Sequence, residues 1–260
     1  EPGAGSDLAS LKLKAEKKKD GWLINGQKIW TSSAHVADWY WLAARTDSDA
    51  PKHRGISVFL VKMDHPGIEV HPIETVGEHA TNSVFLTDVF IPDDYVVGEV
   101  NKGWTYICEA LNYERFTFYT IAPLEQKFKE LVELTNQVSK DGIKLNIIPE
   151  VRKKIIHLYA DVQKAKVLQR KVLSVAIQDE VPQAEAAVFK LFSTKLHQRL
   201  ANEAMDILGR EGLFRKEYKN SHAKGKWEWS YRSTLVDTIG AGTTEIQKNT
   251  IAKKSLKIPL

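Results

Sequence analysis

Near residue 100 the hydrophobic period of this chain changes from two to about 3.6. Before it, short runs rich in β-branched and aromatic residues read as strands: His35–Arg45, Ile56–Met63, Ile68–Ile73 and Ser83–Ile91. Turn signals separate them at Asp20-Gly21, Asn25-Gly26, Asp47–Pro51 and His65-Pro66-Gly67. Asn25-Gly26, between Trp22–Ile24 and Lys28–Trp30, predicts a tight hairpin. After Gly98 the spacing is helical. One helix is expected over Gly103–Gln137, kinked at Pro123 and ended by Asp141-Gly142. A second runs from Pro149 to Ile177 and a third from Gln183 to Leu208, with Gly209 just past its end. Residues 210–235 read as irregular, basic and aromatic, with Trp227, Trp229 and Tyr231, and a short last helix opens at Thr243 or Thr244. The fold class expected is α+β: an antiparallel, β-barrel-like domain over residues 1–100, then an antiparallel four-helix bundle over residues 101–260.

Composition narrows the function. Hydrophobic residues are 43% and charged residues 27% of the 260, a globular balance rather than a disordered one. The single cysteine, Cys108, excludes an intrachain disulfide and a cysteine-based zinc site, and fits a reducing, cytoplasmic setting. No run approaches the roughly 18 apolar residues of a membrane helix, so no membrane association is expected. The start, Glu1-Pro2-Gly3-Ala4-Gly5, is neither a signal peptide nor an initiator, and the expectation is a chain that begins partway through a longer protein. Residues 1–100 hold 10 basic and 15 acidic side chains, and the remainder 27 and 18. Lysines interspersed with acids and the lack of a nucleic-acid motif make that basic half a solvated helical surface, not a nucleic-acid interface. The eight histidines show no metal-ligand spacing, and no P-loop, G-x-S-x-G elbow or G-x-G-x-x-G is present.

Three segments could carry chemistry. Pro2–Asp7 is a glycine-rich turn whose amides and Ser6 hydroxyl could meet a phosphate or carbonyl, or be a plain turn. Trp30-Thr31-Ser32-Ser33 sets an aromatic plane before three hydroxyls, suited to a flat heterocycle but equally to a buried tryptophan with capping hydroxyls. Gly240–Gln247 is a glycine turn feeding a helix N-terminus, either an anion site or a simple cap.

Taken in order, these segments resemble the acyl-CoA dehydrogenase family. Glu1-Pro2-Gly3-Ala4-Gly5-Ser6-Asp7 is similar to its first signature. Asn25–Ser32 is similar to its flavin-contacting strand, and Phe85–Pro92 with Gly98 and Gly103-Trp104 to the exit from its middle β-domain. Gly242-Thr243-Thr244-Glu245-Ile246-Gln247 is similar to its closing signature. The family fold has an N-terminal helical domain, a β-domain and a C-terminal bundle, and the resemblance covers the last two, so the N-terminal helical domain is absent from this chain. It implies α,β-dehydrogenation of an acyl-CoA thioester: a carboxylate takes the α-proton while a hydride leaves the β-carbon for N5 of FAD. It also implies a dimer or tetramer, homo- or heteromeric, with an electron-transferring flavoprotein as electron acceptor.

The position of the base is a departure. Many members carry it just before the closing Gly-Thr, where this chain has Ala241, which cannot act as a base. A second subgroup carries it on the first bundle helix, where this chain has Leu111-Asn112-Tyr113-Glu114-Arg115. The resemblance therefore makes Glu114 the base; by itself Glu114 reads as an exposed helix carboxylate paired with a neighbouring Lys or Arg. It assigns Gly5, Ser6, Asn112 and Arg115 to the substrate, and Trp30, Thr31, Ser32, Thr243 and Glu245 to the flavin. The amide of Ala241 becomes a donor to the thioester oxygen. Two further departures concern the flavin: Val138–Gly142 lacks the family's Arg and Phe, and Asp206 replaces a glutamine, with Arg210 or Lys140 as compensating charges. The pattern is similar to bacterial members acting on sterol side chains, some of which are heterotetramers with flavin in only some subunits. A flavin-free or non-catalytic partner subunit is the alternative, and other flavin chemistry or DNA binding a more distant one.

Overall fold

The computed structural model describes residues 1–117, 120–178, 180–219 and 221–259, with the side chains of Arg115 and Phe116 also outside the description. It divides into two compact units, Glu1–Ala110 and Leu111–Leu260.

The first unit is a seven-stranded sheet: β1 (Lys14–Lys18), β2 (Gly21–Ser32), β3 (Trp39–Arg45), β4 (Ile56–Lys62), β5 (Ile68–Ile73), β6 (Thr81–Pro92) and β7 (Val96–Val97), in the order β5-β6-β2-β1-β3-β4-β7. Pairing is antiparallel, save for a single parallel register of Lys14 with Arg45 between β1 and β3. One face buries Ile24, Leu42, Ala44, Phe59, Val84 and Val89. Arg45 fastens the surrounding loops, its guanidinium donating to the carbonyls of Ala9, Leu11, Lys52 and Arg54.

Asn25-Gly26 is not a hairpin. β2 runs through it as one strand, and the hairpin turn lies at Lys19-Asp20, where Lys18 pairs with Gly21. The two residues sit instead opposite a bulge in β6, where the register passes from Ile24↔Val89 to Gly26↔Leu86. Asp88, at φ 48°, is the extra residue; its amide donates to Asn25 Oδ1 at 2.8 Å and Asn25 Nδ2 returns a bond at 3.1 Å. The bulge accounts for a phase slip in β6: Val84 and Leu86 face the core, and so do Val89 and Ile91, three residues on from Leu86 rather than two. Gly26 has φ 141°, and a Cβ there would lie 2.7 Å from Leu13 Cδ1. β3 begins at Trp39, four residues after the expected start, because Ser33, at φ 60°, turns the chain and its carbonyl accepts from Val36 and Ala37.

α1 (Gly103–Thr117) begins in the first unit and ends in the second, which is built from α2 (Ile121–Gln137), α3 (Pro149–Ala176), α4 (Gln183–Leu208), α5 (Lys226–Ser233) and α6 (Thr244–Lys254). The expected single helix over 103–137 is thus two. Pro123 does not kink it; it sits in the first turn of α2, where its missing N–H costs nothing. Phe118, within that expected helix, lies outside the described residues. Asp141-Gly142 is the turn of a small hairpin, β8 (Ser139–Lys140) with β9 (Ile143–Lys144), both turn residues having positive φ. Residues 210–235 are less irregular than expected, since α5 forms within them. Trp227, 1% exposed, anchors α5 in a core with Leu124, Leu131, Leu158, Val162 and Leu200, and Arg232 donates back to Glu228 one turn away. Among the described residues no helix is long and apolar enough to cross a membrane.

Gly26→Ala should lower unfolding free energy by about 1–3 kcal/mol, since it adds both a steric contact and a strained φ. Gly3→Ala, with open space around it and no positive φ, should change it by less than about 0.5 kcal/mol. Urea denaturation of the two variants checks the pair.

Candidate active site

In the first unit the residues assigned to substrate and flavin fall on two joined segments. The Glu1 carboxylate accepts from the amides of Lys12 and Leu13 at 2.6 and 3.1 Å and from Lys28 Nζ at 2.7 Å. Both side chains are nearly enclosed, at 9% and 10% exposure. Burial opposes the charge on Glu1, but these bonds outweigh it and hold its carboxyl below the usual range. The pair fastens the exposed turn bearing Gly5 and Ser6 to β2, two residues before Trp30.

Trp30 owes its position to a second bulge. Trp22, Ile24 and Lys28 are buried at even positions of β2, so a regular strand would bury Trp30 as well. Between Lys28↔Val84 and Thr31↔Asn82, however, β2 carries one residue too many, and Trp30 adopts φ 61°. Its ring is left 62% exposed. The reading of a buried tryptophan with capping hydroxyls therefore fails. Thr31 Oγ1 lies 2.9 Å from the Tyr40 hydroxyl, and its carbonyl accepts from the buried Asn82 at 3.0 Å. Enclosure pushes the Tyr40 hydroxyl upward in pKa, against a smaller opposing effect of the bond to Thr31. Ser32 is exposed, and its hydroxyl has no protein partner among the described residues.

In the second unit Glu114 lies in the last turn of α1. It is half-buried, and its carboxylate has no hydrogen-bond or ion-pair partner among the described residues. Asn112 is half-buried on the same helix, and the side chain of Arg115 lies outside the described residues.

The loop before α6 contains Ala241 at φ 52° and Gly242 at φ 88°. A side chain at Gly242 would strike Gln247 Nε2, 2.6 Å from its Cβ. Thr243 caps α6, its hydroxyl accepting from the Ile246 amide at 3.2 Å. Glu245 is exposed, and its carboxyl is held low by its own backbone amide first and by Thr243 second. Two residues outside the expected site hold this loop. Lys190 of α4, 1% exposed, donates to the carbonyls of Asp237 at 3.0 Å, Gly240 at 2.9 Å and Gly242 at 2.7 Å. Gln247, fully buried, donates to Ala241 at 3.2 Å and Gly242 at 3.1 Å. A sequence signal for Lys190 existed: it falls in phase with Ala186, Ala187, Ser193 and Thr194 on the buried stripe of α4.

Asp206 is not a bare negative charge, because Lys154 binds it at 3.1 Å. Lys140 is exposed on the β8–β9 hairpin. A shallow groove lined by Pro149, Arg152, Lys153, Ile156 and His157 includes none of the expected site residues. No group of side chains able to hold a metal ion occurs among the described residues.

Residues 1–89 match the acyl-CoA dehydrogenase middle domain and residues 101–256 its C-terminal domain. The chain belongs to the acyl-CoA dehydrogenase family. It is 38% identical over its whole length to acyl-CoA dehydrogenase FadE34 of Mycobacterium tuberculosis, and spans 34% of that protein. It is 34% identical to acyl-CoA dehydrogenase FadE26 of the same organism, again over its whole length, and spans 66% of it. Among solved structures, the Tcur3481-Tcur3483 steroid ACAD superposes on the whole chain with a TM-score of 0.93 at 34% identity, and 66% of that chain is covered. The ChsE4-ChsE5 complex from Mycobacterium tuberculosis follows at 0.91 and 32%, with 68% covered. The fold thus agrees with the family's β-domain and helical bundle, and this chain spans a third to two thirds of these relatives.

Trp30→Gly should leave the urea midpoint unchanged or slightly raised, because it relieves a positive φ and removes little packing. A buried tryptophan would instead cost about 3–5 kcal/mol.

Proposed function

We propose that this chain forms part of a flavin-dependent acyl-CoA dehydrogenase, with Glu114 as the base. The observation that carries the reading is the Glu114 carboxylate itself, half-buried yet without a partner among the described residues. With Ala241 at the alternative position for a base, Glu114 is the remaining carboxylate that the family pattern offers.

The residues fit FAD. A tryptophan face exposed at a strained backbone position suits a flat heterocycle, and the free hydroxyl of Ser32 suits its polar edge. Trp30, Thr31, Ser32, Thr243 and Glu245 would hold the cofactor. Thr31 would act through its backbone and methyl group, because its hydroxyl is engaged by Tyr40. Bound there, FAD supplies the acceptor for the β-hydride.

This chain's own residues do the rest. Glu114 Oε takes the proton α to the thioester carbonyl. The amide of Ala241 has no partner among the described residues and donates to the thioester oxygen as negative charge builds on it. Gly5 and Ser6 meet the substrate beside the flavin, and Asn112 and Arg115 reach the CoA portion. Electrons then pass to an electron-transferring flavoprotein in the cytoplasm, and the enzyme works as a dimer or tetramer.

A second reading rests on Val138–Gly142. There the chain forms the β8–β9 hairpin in place of the family's flavin-contacting Arg and Phe. The structurally similar ChsE4-ChsE5 is a complex of two proteins. In this reading the chain is the flavin-free partner in such an assembly.

The test is anaerobic addition of acyl-CoA thioesters to the FAD-loaded protein. Bleaching of the flavin absorbance is expected, slowed about 10²–10⁴-fold in Glu114→Gln. Bleaching at an equal rate in the variant would remove Glu114 as the base.

A further inference from the structure

We infer that Lys190 is a positioning residue: from inside the fold its ammonium orients the 237–242 loop so that the amides of Ala241, Gly242 and Thr243 face outward together. The inference rests on the reading above for what those amides meet.

In a trans peptide, the carbonyl of one residue and the N–H of the next point in opposite directions. The carbonyls of Gly240, Ala241 and Gly242 are all turned inward, onto Lys190, onto Gln247 and onto both respectively. The amides of Ala241, Gly242 and Thr243 must therefore point outward. None of the three donates to a protein acceptor among the described residues. Such a run of free amides at the start of a helix favours negative charge. Holding it costs strain at Ala241, whose φ of 52° is unfavourable for a residue with a Cβ. Without a fixed anchor the loop would relax away from that conformation.

A lysine suits the task. Its three N–H bonds meet three carbonyls from one point, which a planar amide cannot do. Bonds from a charged donor are the stronger kind, and a buried ammonium that leaves these acceptors loses the compensation they provide. The anchor is on α4 and the loop follows α5, so the bond set joins chain segments roughly fifty residues apart, Lys190 to Gly242.

The test uses the full chain as wild type, Lys190→Met and Lys190→Gln. Backbone ¹⁵N order parameters are expected near 0.85 for residues 240–243 in the wild type and below about 0.6 in Lys190→Met, with Lys190→Gln between them. Those of α3 and of the sheet should stay at their wild-type values. A purely stabilising role would loosen the whole unit and leave residues 240–243 no different from their surroundings; that result, or a rigid loop in Lys190→Met, overturns the inference. Should Lys190→Met not fold, the wild-type Nζ resonance decides. Slow exchange with water supports the inference, and exchange as fast as that of the exposed lysines overturns it. In the FAD-loaded protein, Lys190→Met should lose roughly 10²-fold in turnover per bound flavin. A wild type inert to every acyl-CoA would count against the dehydrogenase reading, while the order parameters would still decide what Lys190 does.

Discussion

A lysine ammonium taken out of water has to be met by acceptors, and where they come from decides which parts of the chain are fixed. Among the described residues Lys28 and Lys190 are buried. Lys28 meets the Glu1 carboxylate and thereby holds the N-terminal turn against β2. Lys190 meets three backbone carbonyls and thereby holds the loop before α6. In each case the buried charge stands behind a segment: the exposed turn of Gly5 and Ser6 in one unit, and the half-buried residues 241–243 in the other. Neither segment has the apolar content to fix itself, so polar bonds from the interior do it.

The sheet solves a related problem with bulges. Trp30 lies in phase with the buried positions of β2, and only the extra residue at 29–30 turns it outward. Asn25-Gly26, which reads as a hairpin, is used against the other bulge, where Asn25 binds the backbone of the extra residue Asp88. In both places the sequence carries the right residue types, but the structure depends on a distant strand, on Asp88, 63 residues beyond Asn25, and on Asn82, 51 beyond Thr31, rather than on chain neighbours. Local pattern cannot supply such pairings. The phase slip from Leu86 to Val89 was the one visible trace of the bulge.

The helices were more legible because their signals are local. Gln183–Leu208 begins and ends where periodicity and Gly209 put it, and Thr243 caps α6 as its hydroxyl allows. The break before α2 was misplaced at Pro123, since a proline in a first turn and one inside a helix look alike in sequence. α5 was missed because its residues are polar and aromatic without a clean stripe, and it is held by the burial of Trp227 and the Glu228–Arg232 pair. Of the candidate site, the family signatures pointed to segments and the buried stripe of α4 marked Lys190, while the acceptors that Lys190 and Gln247 bind came only from the fold. Family membership places the chain among acyl-CoA dehydrogenases.

Under the proposed reading, the exposed Trp30 ring and Ser32 hydroxyl present a surface to a flavin. The visible absorbance spectrum of the purified chain, taken after incubation with FAD and desalting, tests it most directly. The account predicts a retained flavin spectrum, lost in Trp30→Gly without loss of fold. A folded wild-type chain that emerges colourless, with all the flavin in the low-molecular-mass fraction, would contradict it.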